Sequence, residues 1–362
     1  MVVNKKDGMN YAPVGKANKV VEDGQFKVAV AALDHGHIYG MCNGLKEAGA
    51  NIVYVYDKDP KKIEEFREKF PDAQAVDSLD TILEDPEIKM VAAAAIPNLR
   101  SALGNKVMKA GKDYFTDKTG FTSLDQLAET KKVYKETGKR YFVYFSERLH
   151  VEGAILAGEL IKEGRIGKVL QVTGFGPHSL NKESRPDWFF KKEEYGGILA
   201  DIGSHQIEQF LYYTGNDDAK VISAKVANYA NPDTPELEDY GDATLVGENG
   251  ATFFYKVHWF SPKGLSTWGD GRTFITGTKG YIEVRKYTNV GEEATGDHVF
   301  VVDENGEEHI RANGKVGFPF FGEMILDSLN GTENAMTQEH IFKAQELCLL
   351  CQDQAEIIKA NL

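Results

Sequence analysis

Apolar and polar positions alternate along the first part of the chain in two distinct periods. Residues 26–32 and 51–56 are almost continuously apolar, which is typical of strands buried on both faces. A helical pattern follows each of them, over 38–48 and 60–70. The alternation continues through a short helix at 79–83, a strand at 90–95, a helix at 101–110, a short strand at 114–115, a helix at 124–137 and a strand at 141–145. This order predicts a doubly wound α/β (Rossmann) domain with a parallel sheet.

After a further helix at 151–163, extended segments follow one another without intervening helices, and Gly, Asn and Pro separate them. These segments lie at 169–175, 220–228, 243–246, 251–259, 273–276, 280–285 and 299–303. The chain closes on helices at 321–329 and 340–359, each apolar on one side. The pattern predicts an α+β domain built on a large, mostly antiparallel sheet.

The change of pattern suggests four parts of the chain. They are an N-terminal arm at 1–25, a dinucleotide-binding Rossmann domain at 26–147, an α+β substrate and oligomerisation domain at 148–335, and a C-terminal helix at 336–362 that packs back on the core. A length of 362 residues and 42% hydrophobic residues are sufficient for two cores.

Composition restricts the partners and the compartment. A net charge of -13 disfavours binding to nucleic acid and to anionic membranes. The chain shows neither a long apolar run nor a signal-peptide pattern, and its three cysteines suit a reducing compartment, so we expect a cytoplasmic protein. Cys348 and Cys351 form a C-x-x-C spacing inside an apolar run, which favours buried helix cysteines over a metal site.

The turn after the first strand is the predicted phosphate-binding turn of a dinucleotide site. It is a degenerate glycine fingerprint, because Ala32 replaces the first glycine and Asp34 the second. The acidic side chain of Asp34 disfavours a pyrophosphate at this turn, and we expect His35 or His37 to offset its charge. The cofactor-binding residues predicted in this turn are Asp34, His35, Gly36, His37 and Ile38.

Asp57 ends the second strand, where an acidic residue bonds the adenosine ribose hydroxyls and disfavours a 2′-phosphate. It favours NAD over NADP as the cofactor. A plain turn aspartate explains the same position equally well.

A Gly-Gly pair at 196–197 precedes a segment that places Asp201 and His205 four residues apart. In a helix that begins near Ile198, both side chains project from one face, and a histidine beside a carboxylate can accept a proton near neutral pH. The alternative is an amphipathic core helix whose buried face is Ile198, Ile202, Ile207 and Phe210.

Taken in order, these motifs resemble the Gfo/Idh/MocA family (glucose-fructose oxidoreductase, inositol dehydrogenase and rhizopine catabolism proteins) from residue 26 to the C-terminus. The family's Pro-Asn pair, Glu-Lys-Pro motif, strand-end arginine, Gly-x-Ile-Gly and Gly-Gly-x-x-x-Asp-x-x-x-His are matched by Pro97-Asn98, Asp117-Lys118-Thr119, Arg148, 164–167 and 197–205. Residues 318–323 also resemble the stretch before the family's closing helices. Thr119 departs from the motif, because the family has a proline there, often with a cis bond.

The resemblance implies an NAD-dependent dehydrogenase that oxidises a ring secondary alcohol of a sugar, glycoside or cyclitol. It implies Lys118 as the group that polarises the oxygen and His205 as the base. Asp201 would orient the imidazole of His205 or hold a second substrate hydroxyl. Asp57, Pro97, Asn98, Asp117 and Lys118 complete the expected cofactor site. The expected substrate-binding residues are Arg148, His178, Arg185, Trp188, Asp201 and His205.

The resemblance also implies a homo-dimer or homo-tetramer that associates through the open face of the second sheet. Phe253, Tyr255 and Val257, or the alternate set of residues on that strand, would form the contact.

Three alternatives remain at this stage. The first is an enzyme of the same fold that uses NAD to cleave or epimerise a glycoside without net redox change. The second is a non-catalytic sensor or scaffold, suggested by the substituted phosphate turn. The third is a metal-dependent enzyme that uses Asp34, His35 and His37, but these side chains do not obviously face one point, and we expect no metal.

Overall fold

The computed structural model describes residues 17–294 and 296–359, and these form two compact units. The first unit contains residues 17–144 and 317–342, and the second contains the remaining described residues. The observed division lies at 144/145, close to the boundary we predicted at 147/148. Residues 317–342, which we predicted in the second domain and the closing helix, belong to the first unit. Of the predicted arm, residues 1–16 lie outside the described residues, whereas Val21 is buried in the first unit.

The first unit is a parallel sheet with the strand order β3-β2-β1-β4-β5-β6, which confirms the predicted doubly wound class. Its strands are β1 Lys27–Ala31, β2 Asn51–Tyr56, β3 Gln74–Ala75, β4 Ile88–Ala93, β5 Asp113–Asp117 and β6 Tyr141–Tyr144. The helices between them are α1 His37–Glu47, α2 Pro60–Lys69, α3 Leu79–Glu84, α4 Pro97–Lys109 and α5 Leu124–Thr137. The carboxyl ends of parallel strands share one edge, so the turns after β1, β2, β4 and β5 lie at that edge.

The second unit begins with helices and continues as a nine-stranded mixed, mostly antiparallel sheet. Its helices are α6 Ser146–Leu149, α7 Glu152–Lys162, α8 Lys192–Tyr195, α9 Ile198–Asp201 and α10 Gly203–Thr214. Its strands before the closing helices are β7 Val169–Pro177, β8 Ala219–Ala227, β9 Tyr240–Gly247, β10 Thr252–His258, β11 Arg272–Gly277, β12 Tyr281–Arg285, β13 His298–Asp303 and β14 Gly306–Arg311.

The chain closes with α11 Pro319–Asn330, α12 Gln338–Asp353 and β15 Glu356–Ile358. The prediction that the last helix continues to residue 359 is wrong, because β15 pairs in parallel with β8 and adds an edge strand to the sheet. The sequence prediction also missed β14. Its residues are mostly exposed, so the strand lacks the apolar alternation that reveals a half-buried strand.

One face of the second sheet is buried against α10. Phe253 stacks on Phe210 of α10 at 4.6 Å between ring centroids, and Tyr255 and Val257 are fully buried beside it. The alternate residues of β10, including Phe254, therefore lie on the opposite face of the sheet. Among the described helices, none is long and apolar enough to cross a membrane.

Candidate active-site residues in the two units

In the turn between β1 and α1, Ala32 takes a backbone conformation that usually requires glycine. Ala32 has φ 56°, a left-handed conformation that glycine adopts more readily, and it occupies the place of the first glycine. Asp34 Oδ1 lies 2.5 Å from Lys62 Nζ of α2, so Lys62 offsets the charge of Asp34. The expectation that His35 or His37 does so is wrong, since both imidazoles face Asp117 instead.

A cavity of about 640 Å³ opens at this edge of the first sheet. Its lining includes Ala32, Asp34 and Asp57 from the turns after β1 and β2, and Ile96 and Leu99 from the start of α4. Asp57 Oδ2 accepts a hydrogen bond of 2.6 Å from Leu33 N and Oδ1 accepts one of 2.8 Å from Asp59 N. Asp57 therefore fixes the turn after β1 as well as its own, and each of its oxygens keeps a second lone pair that a ligand hydroxyl can approach.

Asp117, at the end of β5, is a fully buried carboxylate surrounded by nitrogen atoms. His37 Nδ1 lies 2.8 Å from Oδ1, and His35 Nδ1 lies 2.9 Å from Oδ2. Arg100 donates to Oδ2 at 3.1 Å, and Lys118 N donates to Oδ1 at 2.7 Å. Burial raises the pKa of Asp117, but the charges of His37 and Arg100 outweigh it and hold the pKa well below its usual value. Burial also lowers the pKa of His35 to about 3, so its imidazole is neutral.

His35, His37 and Asp117 are also spaced so that a metal ion could be held, since their ligand-type atoms lie within 4.8 Å of one another. Asp34, which the metal hypothesis included, is not a member of this group. The contacts of the group are those of a hydrogen-bonded network, because Arg100 already compensates the charge of Asp117 and donors occupy both of its oxygens.

Arg100 fixes the turn that carries Lys118. Its guanidinium donates to the backbone oxygens of Lys118 and Thr119 and to the carboxylate of Asp117, while Nε donates to Ala95 O at 2.7 Å. The Lys118-Thr119 peptide bond is cis, and Lys118 is buried. The sequence analysis missed Arg100, since an arginine in a helix is ordinarily exposed.

Pro97 and Asn98 begin α4, four residues earlier than we predicted, and Pro97 occupies the first turn where its missing N–H costs nothing. Gln126 donates to the backbone oxygen of Asn98 at 3.0 Å. The side-chain oxygen Oδ1 of Asn98 is buried and has no hydrogen-bond partner among the described residues. A buried acceptor of this kind fits a ligand that brings its own N–H or O–H group, as a dinucleotide does.

In the second unit, Asp201 and His205 lie on either side of a break between two helices. The helical pattern that we predicted as continuous is interrupted at Ile202, but Ile202 keeps helical backbone angles. The predicted spacing of one turn is therefore kept, and both side chains are buried. The apolar face predicted for this segment is also confirmed, with Ile202 and Phe210 fully buried.

Next to His205, a cluster of charged and polar side chains surrounds Glu147 of α6. Glu147 Oε2 accepts hydrogen bonds of 2.7 Å from Lys286 Nζ and from Gln206 Nε2, and His178 Nε2 lies 3.9 Å from Oε1. Burial raises the pKa of Glu147, but the charges of Lys286, His205 and His178 lower it to about 2. The sequence analysis did not identify Lys286, whose signal was only its position after a strand.

The remaining predicted substrate residues have well-defined partners in the second unit. Arg148 forms a two-pronged ion pair with Glu208 of α10 and lies over the ring of Tyr212 at 3.9 Å. Arg185 lies over Phe189 and Trp259 at 4.5 and 5.1 Å from the ring centroids. Trp188 is half-buried beside Phe189 in a short 3₁₀ turn.

The structure thus groups the predicted site residues by unit. Lys118 and the predicted cofactor residues belong to the first unit, and Asp201, His205 and the predicted substrate residues belong to the second. Their catalytic roles stay predictions.

Comparison with known families agrees with this division. Residues 32–145 match the family model of the GFO/IDH/MocA oxidoreductases, described as an NAD-binding Rossmann fold, and residues 155–283 match the GFO/IDH/MocA C-terminal domain. The first unit is accordingly an NAD-binding Rossmann domain.

Individual relatives extend the comparison. The crystal structure of a protein from Erwinia carotovora atroseptica is 46% identical, covers 92% of this chain and 100% of its own, and superimposes with a TM-score of 0.89. A D-xylose dehydrogenase from Paenarthrobacter nicotinovorans is 30% identical over 41% of this chain and 39% of its own length. An NAD⁺-dependent scyllo-inositol 2-dehydrogenase from Bacillus subtilis is 28% identical over 65% of this chain and 66% of its own. The matches to several curated relatives span about half of their length.

Proposed function

Because the chain belongs to the GFO/IDH/MocA oxidoreductase family, we propose that it is an NAD-dependent dehydrogenase of a ring secondary alcohol in a sugar, glycoside or cyclitol. The observation that carries the proposal is the cavity of about 640 Å³ in the first unit, where Lys62 neutralises Asp34. The substituted phosphate turn is therefore compatible with a dinucleotide. The D-xylose and scyllo-inositol dehydrogenases among the relatives support the substrate class.

NAD would be held by the residues that line this cavity and the adjoining turns. Asp57 would bind the adenosine ribose hydroxyls, and its negative charge would disfavour the 2′-phosphate of NADP. The N-terminus of α1, which follows the turn after β1, would face the pyrophosphate. The buried Oδ1 of Asn98 would accept a hydrogen bond from the cofactor. When bound, NAD supplies the hydride acceptor.

The protein's own groups would then handle the proton and the charge. His205 would accept the proton of the substrate hydroxyl as the carbonyl forms. The ammonium group of Lys118 would stabilise the partial negative charge on that oxygen. Asp201 would orient the imidazole of His205 or bind a second hydroxyl. His178, Arg185 and Trp188 would contribute to substrate binding.

The proposal also includes an assembly and a location. We expect a homo-oligomer formed through the open face of the second sheet. We also expect a cytoplasmic location, which the buried cysteines Cys42, Cys348 and Cys351 support, since they form no disulfide among the described residues.

The first test is a calorimetric titration of nucleotide-stripped protein with NAD and NADP. It is followed by measurement of NADH formation with D-xylose, D-glucose, myo-inositol and levoglucosan. We expect NAD to bind at least about tenfold more tightly than NADP, a difference of ~1.4 kcal/mol. Lys118→Ala should reduce turnover far more than it weakens NAD binding, while the exposed control Lys106→Ala should keep both. Absence of binding by either nucleotide would favour the sensor or scaffold, and conversion of a glycoside without NADH release would favour the non-redox enzyme.

A further inference from the structure

Only one of the two carboxylate oxygens of Glu147, in the second unit, accepts hydrogen bonds from the described residues. Oε2 accepts two hydrogen bonds of 2.7 Å, from Lys286 and Gln206. Oε1 accepts none from the described residues, since His178 Nε2 lies 3.9 Å away, beyond hydrogen-bonding distance. Glu147 is only 2% exposed, and buried carboxylate oxygens are normally hydrogen-bonded. Oε1 is therefore an acceptor for a group that the chain itself does not supply.

Lys286, which donates to Glu147, has hydrogen-bond donors that lack an acceptor. Its side chain is 0% exposed, and its ammonium group has three N–H donors. One of them is used by Glu147, and no described residue accepts a hydrogen bond from the other two. An ammonium group with two unused donors is costly in a buried site, so a further oxygen acceptor is expected beside it.

Trp259 adds a third unused polar group in the same cluster. Its indole N–H is buried and has no acceptor among the described residues. The indole ring meets the ring of His178 edge to face at 5.5 Å, and His178 in turn faces Glu147. Unused donors on Lys286 and Trp259 and an unused acceptor on Glu147 therefore occur around one imidazole.

We propose that Lys286 and Glu147 together bind one hydroxyl group of the substrate, and that Trp259 donates to a second oxygen. A hydroxyl is the group that can donate to Oε1 of Glu147 and accept from Nζ of Lys286 at the same time. Gln206 acts as a positioning residue, because it ties Glu147 to α10 next to His205. This inference rests on the proposed function and adds residues that determine substrate specificity.

The charges of the pair select the substrate class. Glu147 is ionised and neutralises Lys286, so the pair offers no net positive charge to a carboxylate or phosphate on the ligand. A ligand carboxylate would also lack the proton that Oε1 requires, and it would be repelled by Glu147. The pair should therefore favour neutral polyols over uronates and phosphorylated sugars.

The test uses a charge-free variant of the pair. Lys286→Met alone leaves an unpaired buried carboxylate and risks misfolding, so the double variant Glu147→Gln/Lys286→Met is compared with the wild type. We expect KM for D-xylose or D-glucose to rise at least about tenfold, kcat to change less, and NAD affinity to stay the same. The matched control is Lys182→Met, which removes an exposed lysine paired with Asp233 and should change none of these values.

A second measurement tests the charge selection. Glu147→Gln removes the repulsion, so the ratio of kcat/KM for D-glucuronate to that for D-glucose should rise at least about tenfold. A folded double variant whose KM stays within about twofold of the wild type, or an unchanged ratio in Glu147→Gln, overturns the inference.

Sugar binding measured by tryptophan fluorescence separates this inference from the proposed function. If the wild type binds these sugars but forms no NADH, the proposed function fails, and the pair is judged by the loss of binding in the double variant. If the wild type neither binds nor oxidises any of them, both proposals fall.

Discussion

Arg100 illustrates how a single side chain organises the predicted cofactor edge of the first unit. It is almost fully buried, yet each of its three nitrogen atoms has an oxygen partner. Three of these partners, the carboxylate of Asp117 and the backbone oxygens of Lys118 and Thr119, belong to the turn around Lys118. Arg100 therefore determines where that turn lies and compensates Asp117 at the same time.

Arg100→Met should destabilise the protein by about 3–5 kcal/mol, because it leaves the buried carboxylate of Asp117 without its fixed cation. The control is Arg311→Met, which removes an ion pair with Glu293 on the protein surface and should cost much less stability. Urea-induced unfolding measures both values. Equal losses in the two variants would contradict a special role for Arg100.

Asp297 predicts a pH dependence of stability. It is 7% exposed, and burial raises its pKa to about 7, although Gly153 N donates to its carboxylate. Its folded pKa therefore exceeds the unfolded value of about 3.9, so the folded state favours the protonated carboxyl group. The corresponding stability is fully present below about pH 4 and is lost as the pH rises through about 7.

Asp297→Asn should remove this loss, because a neutral amide carries no charge and can still accept from Gly153 N. Between pH 4 and pH 8 the wild type should lose on the order of 4 kcal/mol more stability than the variant, at about 1.36 kcal/mol per pKa unit. Unfolding curves at both pH values measure the difference. A parallel pH dependence in the two proteins would show that Asp297 titrates normally.

At the scale of elements, the start of α9 depends on a glycine that packs against α12. Gly197 has φ 96°, and a Cβ placed on it would lie 2.3 Å from the amide carbon of Gln352. Gln352 in turn accepts a 2.9 Å hydrogen bond from Leu199 N and donates to Glu238. A side chain at 197 would therefore push α9 away from α12.

Gly197→Ala should cost more stability than Gly250→Ala. Both glycines have positive φ, at 96° and 85°, but a Cβ on Gly250 meets nothing within 4 Å. Gly250→Ala therefore measures the cost of the backbone conformation alone, about 1–2 kcal/mol. The additional loss of stability in Gly197→Ala measures the clash with Gln352. If the two variants unfold at the same temperature, Gln352 moves aside and the packing argument is wrong.

The sequence predicts best the elements whose burial produces a regular spacing of apolar residues along the chain. Five of the six parallel strands of the first unit are mostly apolar or fully buried and were predicted within two residues at each end, whereas β3, an exposed strand of two residues, was missed. Edge strands carry no such period, because β14 is exposed and β15 follows directly on an amphipathic helix. Such strands are recognised only once their pairing partners are known, and the local sequence pattern carries no information about those partners.

Residues of the candidate site could be predicted from the sequence where they belong to a motif. Residues whose role is to pair with another site residue could not. Asp117 and Lys118 follow from their motif, whereas the contacts of Arg100 and Lys286 depend on residues 17 to 139 positions away. Lys62 is a similar case, since its ion pair with Asp34 removes the objection that the sequence raised against a dinucleotide. Long-range compensation of charge is the part of the site that only the fold reveals.

At the scale of the whole molecule, the face of the second sheet opposite α10 carries aromatic side chains that are only half-buried. Phe175 and Phe274 meet edge to face at 6.1 Å between ring centroids, and Lys256 lies over Phe175. Phe254 shares this face and is also only half-buried, whereas Phe253 on the opposite face is covered by α10. Exposed apolar patches of this kind are typical of protein interfaces.

The protein should therefore associate with a second copy through this face, and Phe274→Lys should dissociate the assembly. A lysine there introduces a charge that must lose its hydration when the two faces meet. Sedimentation velocity should show a dimer or tetramer for the wild type and a monomer for the variant. Leu329→Lys is the control, since Leu329 is an exposed apolar residue of α11 in the other unit. A monomeric wild type, or a variant that assembles normally, would mean that the aromatic face is not the interface.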